Sequence, residues 1–380
     1  MVAGRPDSPG ESPLARMRRQ PVILGLFLPT QSGGWTPSSA PRGTDWTYEY
    51  SVALARQAER AGFDLVFALA QWLGAGGWGG RTRYREMSLD PLMVTAGMAQ
   101  ATERMALIST VHVLYGWHPV QLAKLGATLD HMSRGRWGLN VVTGYFPDEI
   151  RMFGGRQPPH DERYSMAAEF TAMMERLWAA DGNLSEAGQY WSMEEAFVSP
   201  KPIHGRPIMV NAGGSEAGLR YAARHSDFIF ITSPGGADIG DALATLPAHI
   251  QHIKALASEY GREVSTIINP HIICRETEAE VQQIRRTIIE GEDVAAVDNL
   301  SRGFAAGDQT AWRGHRREQR IIGGNVHVFG TPEHVVAQLV QLKQAGCDGF
   351  QLNFFDFQPD LTFFVERVLP LMREAGLRIE

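Results

Sequence analysis

Short, continuous apolar runs recur eight times along the chain, each followed by a stretch with helical periodicity. The first run covers residues 22–28 (VILGLFL) and stops at Pro29. Unbroken apolarity over this length is the pattern of a parallel strand buried on both faces. Similar runs occupy 65–69, 106–113, 137–142, 207–211 and 228–231, then a split run at 267–269 and 272–273, then 349–353. Between them lie helical stretches with recognisable punctuation. Thr44-Asp45 caps one that ends before Gly62, Asp90-Pro91 and His118-Pro119 open two more, and Thr331-Pro332 opens another. Eight strand–helix repeats predict a (β/α)8 barrel. A doubly wound sheet alternates in the same way, but no G-x-G-x-x-G follows the first strand. Two longer intervals, about 145–205 and 275–330, read as insertions. The first carries a helix over 161–178, and the second is irregular with helical pieces, as in a lid. Residues 1–20, rich in Arg, Pro, Ser and Gly, read as a disordered leader before a single barrel domain over 21–380.

Composition narrows the class of protein. Of 380 residues 44% are hydrophobic and 21% charged, which is ordinary for a globular chain. Thirty-six basic against 42 acidic residues give a net charge of −6. That balance argues against a nucleic-acid partner or an anionic membrane surface. No apolar run is long enough to span a bilayer, and the N-terminus has no apolar core of a secretory signal. A cytoplasmic enzyme is therefore expected. The two cysteines, Cys274 and Cys347, show neither disulfide-scaffold nor zinc spacing.

In a barrel, chemistry collects at the C-terminal ends of the strands. Those positions carry Gln71, Trp72, Thr110, His112, Asn140, Thr143, Tyr145, Ser215, Thr232, Asn269, His271, Asn353 and Asp356. Neutral hydrogen-bonding groups dominate. Asn140 lies inside an apolar run, so its amide needs partners: a structural bond in the barrel mouth or a ligand. Gly213-Gly214-Ser215 joins a strand to a helix and is either a plain turn or an anion cradle. Arg163-Tyr164 opens a long helix; the Arg is either a solvated charge or a second anion ligand. Asp148-Glu149 reads as a solvated helix start or an acid–base pair. No metal spacing and no G-x-S-x-G elbow occur. Amides, aromatics and an anion cradle with few acids or bases suit a bound cofactor that carries the chemistry.

Several ordered segments then become familiar: 123–130 (AKLGATLD), 135–145 (GRWGLNVVTGY), 160–164 (HDERY), 195–202 (EAFVSPKP) and 212–217 (AGGSEA). Together they resemble the bacterial-luciferase-like flavin monooxygenases, over about residues 22–375. The chain is most similar to the pyrimidine, dimethylsulfone and alkanesulfonate monooxygenase branch. Gly33-Gly34-Trp35 and 76–80 (GGWGG) bring it nearest the pyrimidine enzymes. The resemblance implies a two-component enzyme that takes reduced FMN from a separate NAD(P)H-dependent flavin reductase and reacts it with O2. It implies flavin contacts at Ala70, Gln71, Asn140 and Glu149, and phosphate contacts at Arg163, Tyr164, Gly213, Gly214 and Ser215. Thr110 and Asn140 match the pair that holds O2 near flavin N5, which points to an N5 peroxide beside the C4a route. A homodimer or homotetramer is the family's usual assembly.

The chain also departs from that branch. Gln71 stands where the pyrimidine enzymes carry a flavin-contacting Lys, and the loop from Trp72 to Trp78 is longer. The aromatics Trp72, Trp78, Tyr115 and Trp117 suggest a larger, more apolar pocket, which argues against uracil; Trp72, Trp78, His112, Trp117, Tyr145 and Phe354 are taken as the walls facing a heterocyclic or aromatic substrate. Two other readings share the superfamily: a deazaflavin-dependent hydride-transfer enzyme, and a catalytically silent flavin-binding subunit. A non-redox barrel enzyme is disfavoured by the lack of acid–base pairs.

Overall fold

Each apolar run becomes a strand covered on both faces. In the computed structural model, which describes residues 10–306 and 314–379, twelve strands occur among the described residues. They are β1 (Ile23–Phe27), β2 (Leu65–Ala68), β3 (Ala106–His112), β4 (Trp137–Val142), β5 (Leu184–Ala187), β6 (Ser192–Ala196), β7 (Ile208–Asn211), β8 (Phe228–Ile231), β9 (Ser265–Ile268), β10 (Pro270–Cys274), β11 (Val326–Gly330) and β12 (Gly349–Phe354). Eight of them form a closed parallel ring in the order β1-β2-β3-β4-β7-β8-β9-β12, with β12 pairing back onto β1. The expected barrel is therefore present.

Strand side chains alternate between the barrel interior and the helical shell. The lower interior is filled by Ile23, Leu65, Phe67, Ala106, Ile108, Ile208, Val210, Phe228, Phe230 and Ile267, packed as one cluster. Residues of the other parity, such as Phe350, Leu352 and Phe354 on β12, pack outward with Leu246, Leu339 and Phe364 of the shell. Met17 completes the interior cluster from below. It belongs to a short helix, Pro13–Arg18, whose N-cap Ser12 side chain accepts from the Ala15 N–H. This corrects the disordered-leader expectation for residues 10–20; residues 1–9 lie outside the described residues. The polar composition was read correctly, but Met17 stoppers the open end of the barrel and fixes the segment there.

Two further corrections concern the insertions. The interval 145–205 contains, besides the helices Pro147–Met152 and His160–Ala179, an antiparallel hairpin of β5 and β6. The interval 275–330 is more regular than expected: three helices, Glu278–Glu290, Val294–Ala306 and Arg317–Ile322, lead into β11. Residues 307–313 lie outside the described residues. β11 pairs in parallel with β10, which continues the line of β9 after a break at Asn269. Short apolar Val326–Gly330 escaped notice because His327 interrupts its apolar pattern. The Trp- and Gly-rich loop docks on this insertion. The Asn299 amide donates to the Trp78 carbonyl at 2.7 Å, and Asp293 accepts from the Thr82 N–H and hydroxyl at 2.7 and 2.6 Å. Gly77 in that loop has φ +57°, and a Cβ there would come within 2.4 Å of the Tyr84 carbonyl oxygen. Only glycine fits such a position.

Candidate active site

A cavity opens at the C-terminal end of the ring. Its walls come from the ends of β1 to β4, β7 to β9 and β12, with the start of helix His160–Ala179 closing one side. β3 and β4 are in register so that Thr110 stands opposite Asn140. The Asn140 amide donates to Thr110 Oγ1 at 3.0 Å, and both residues are almost fully buried. The Asn140 carbonyl oxygen has no partner. The Thr110 hydroxyl, accepting from the amide, keeps its own hydrogen for the cavity. Two neutral groups thus present one acceptor and one donor on rigid strands, and the structural reading of Asn140 accounts for only half of its amide.

The opposite wall is built for an anion. Asn211 ends β7 and ties the turn together: its amide donates to the Val141 carbonyl at 2.7 Å and its oxygen accepts from the Gly213 N–H at 2.7 Å. A Cβ on residue 213 would come within 2.9 Å of Gly218 Cα, so the turn must pass this close to the next helix without a side chain. Ser215 caps that helix, Glu216–His225, by accepting from the Gly218 N–H at 3.2 Å. Gly213, Gly214 and Ser215 line the cavity together with Arg163, Tyr164 and His160. Arg163 is 2% exposed and donates to the Gly144 carbonyl. A buried guanidinium facing a helix N-terminus across a cavity is chemistry for a phosphate. The solvated-charge reading of Arg163 is therefore overturned by its burial.

The third corner is titratable. Glu149, on helix Pro147–Met152, is 2% exposed, whereas neighbouring Asp148 points outward and pairs with Arg151. The Asp148-Glu149 pair is thus split, one carboxylate solvated and the other buried. Glu149 accepts from the Tyr115 hydroxyl at 2.9 Å and from the Trp72 N–H at 3.2 Å. Burial outweighs these donors and pushes its pKa up to about 7. His112 Nδ1 lies 3.6 Å from the same carboxyl, beyond a good hydrogen bond. Burial pushes the imidazole pKa down to about 3, so His112 is neutral at pH 7 and the contact is not an ion pair. Burial and the Glu149 charge both raise the Tyr115 phenol.

Of the residues singled out from sequence, Ala70, Gln71, Thr110, His112, Asn140, Tyr145, Glu149, Arg163, Tyr164, Gly213, Gly214 and Ser215 converge on this one cavity. Four of the expected pocket walls do not. Trp72 is 40% exposed and packs edge-on against Phe153 with centroids 5.2 Å apart. Trp78 is buried against Phe146 under the insertion. Trp117 packs beside the outer cluster that holds Leu122 and Phe170. Phe354 has the outward parity of β12 and sits in the shell core. Aromatic type singled these four out, but strand parity and loop path decided where they went. Asn269, also singled out at a strand end, lines the same cavity; the residues missed are those of the floor and far wall, Phe27, Phe67, Phe230, Asn325 and Gln351. Gln351 carried a signal like that of Asn140, an amide in an apolar strand, and its Nε2 has no partner. Phe27 and Phe67 are register partners, and their rings meet edge-on at 5.0 Å.

With this geometry the comparisons agree. The family model for luciferase-like monooxygenases matches residues 23–349. The chain is 30% identical to the FMNH2-dependent dimethylsulfone monooxygenase of Pseudomonas fluorescens, over 96% of this chain and 98% of that protein. It is 30% identical to the pyrimidine monooxygenase of Acinetobacter baylyi, over 92% of this chain and 94% of that protein. Its fold matches that of a riboflavin lyase solved with modified FMN and riboflavin, with a TM-score of 0.82 at 24% identity, covering 94% and 92% of the two chains. The chain belongs to the luciferase-like monooxygenase family and is a flavin-dependent oxidoreductase.

Proposed function

We propose that this chain oxygenates a small, uncharged heterocyclic or aromatic substrate in the barrel mouth, using reduced FMN and O2. The observation that carries the reading is the buried Thr110–Asn140 pair facing a phosphate cradle across one cavity. Bound reduced FMN supplies the two electrons that split O2 between substrate and water. A separate flavin reductase furnishes it, as in two-component relatives.

The residues present fit that cofactor. The Gly213-Gly214-Ser215 turn and Arg163 would hold its phosphate, with Tyr164 beside them. Ala70, Gln71 and Asn140 would border the ring system. Thr110 and Asn140 are polar but uncharged: the Thr110 hydroxyl would donate to a partly negative oxygen without giving up its proton, and the Asn140 oxygen would accept from an N–H or O–H beside it. Phe27, Phe67 and Phe230, packed edge to face, make the floor apolar, and Gln351 adds an amide. Among the described residues lining the cavity, Arg163 is the one Arg or Lys, and it sits in the phosphate wall, which supports an uncharged substrate over a sulfonate. The docked loop 72–85 and helix Val294–Ala306 lie close together and would limit water at the mouth.

The test is coupling: product formed per O2 consumed, across a panel of neutral aromatic and heterocyclic substrates. Asn140→Ala and Thr110→Val are expected to lower it on the order of 100-fold, with H2O2 replacing product. Unchanged coupling in both variants would sink the assignment of these two residues.

A further inference from the structure

We propose that Glu149, held by Tyr115 and flanked by His112, is the acid that supplies the proton consumed when O2 is cleaved in this site. The inference rests on the oxygenation reading above.

The stoichiometry demands such a group. Anionic reduced FMN, O2, substrate and one proton yield oxidised FMN, oxygenated substrate and water. One O–O bond breaks, one bond from oxygen to substrate forms, and two electrons come from the flavin. The second oxygen atom leaves as water only if a proton reaches it. Thr110 and Asn140 cannot release one near neutral pH. Glu149 can. It lines the same cavity, and its burial favours the protonated form.

The surroundings suit donation followed by recovery. After transfer the carboxylate is caught by the two donors already in place, the Tyr115 hydroxyl at 2.9 Å and the Trp72 N–H at 3.2 Å. Trp72 itself is 40% exposed, which brings solvent within one residue of the carboxyl. The charged and titratable groups around the carboxyl are few. His112 faces it from β3 and Tyr115 from the following turn, while Tyr145 and Arg163 act on Tyr115 from the strand end and the long helix. On its own helix Asp148 and Arg151 pair with each other in solvent. No cation touches Glu149 among the contacts described, which is why burial rather than pairing sets its affinity for the proton.

Two measurements decide the proposal. In the flavin-free protein, infrared difference spectra across pH 5–9 should show a protonated-carboxyl band lost near neutral pH that is missing in Glu149→Gln. After an O2 pulse on the protein loaded with reduced FMN, return of oxidised flavin should slow through the same pH range in wild type. That step consumes a proton whether water or H2O2 leaves. In Glu149→Gln it should be slower, on the order of 100-fold at pH 6, and flat with pH. Tyr115→Phe keeps the carboxyl but removes a donor to its charged form, so its midpoint should move upward. Infrared titrations that are identical in wild type and Glu149→Gln overturn the proposal, as does a pH profile that is the same in both proteins. Failure of the wild type to bind reduced FMN strikes the oxygenation reading instead, and the infrared band still decides where the proton resides.

Discussion

The lower and upper halves of the barrel interior are made by the same strands and behave oppositely. On β3 the inward residues run Ala106, Ile108, then Thr110 and His112; on β8 Phe228 and Phe230 precede Thr232. Below, an apolar cluster from β1 to β3 and β7 to β9 packs together, with Met17 as the stopper. Above, partnerless atoms gather: Asn140 Oδ1, Gln351 Nε2 and His112 Nδ1. Buried polar atoms without partners cost roughly 1–3 kcal/mol each. The packed lower interior and the larger core between strands and shell offset that cost. Stability and chemistry are thus separated by two or three residues along each strand.

The largest effect should come from attacking the packed half. Phe228→Ala is expected to lose about 3–5 kcal/mol of unfolding free energy, read from denaturant titration. Asn140→Ala, one half higher, should change stability by no more than about 1 kcal/mol while abolishing coupling, because it removes an unpartnered oxygen. Equal stability losses in the two variants would break the comparison.

A second test uses pH. The folded-state pKa of Glu149 is raised from 4.5 to about 7, so the folded protein holds this proton more tightly than the unfolded chain. The associated stability is full below about pH 4.5 and is lost as pH rises through 7, a change on the order of 3 kcal/mol. His112, lowered to about 3, works the other way, adding stability as pH rises from about 3 to 6.5. The difference between wild-type and Glu149→Gln stability curves isolates the carboxyl. It should fall between pH 5 and 8, in favour of the Gln variant. A flat difference would mean that Glu149 is not protonated in the folded state.

A smaller effect belongs to the phosphate wall. Arg163→Ala should weaken FMN binding about 10-fold to 100-fold, while riboflavin, which lacks the phosphate, binds as in wild type. Equal weakening of both, measured by fluorescence quenching, would move Arg163 from ligand binding to folding.

Much of this was legible in the sequence. The eight apolar runs appear as strands because a two-sided buried strand has no alternation to hide it. Asn140, Arg163 and Ser215 stood out by type and position, and they share a cavity. What was lost has physical reasons. Parity along β12 turns Gln351 inward and Phe354 outward, and a residue's aromaticity says nothing of that. Trp72 and Trp78 lie on a loop whose path is set by contacts with Asp293 and Asn299, more than 200 positions away. The Arg of the 135–145 segment shows the converse. Arg136 is buried and spends its guanidinium on the Ala99, Thr102 and Met105 carbonyls, the Thr102 hydroxyl and the Ser133 carbonyl, bracing the base of β4. A motif residue here serves the scaffold that positions Asn140.

The central claim is that the mouth binds reduced FMN and controls its reaction with O2. Anaerobic titration with photoreduced FMN, followed by an O2 pulse in a stopped-flow spectrometer, tests it most directly. The account predicts stoichiometric binding and an absorbing transient that outlives free reduced FMN in the same buffer, shortened in Asn140→Ala. Absence of binding, or reoxidation at the rate of free reduced FMN with full release of H2O2, would contradict it.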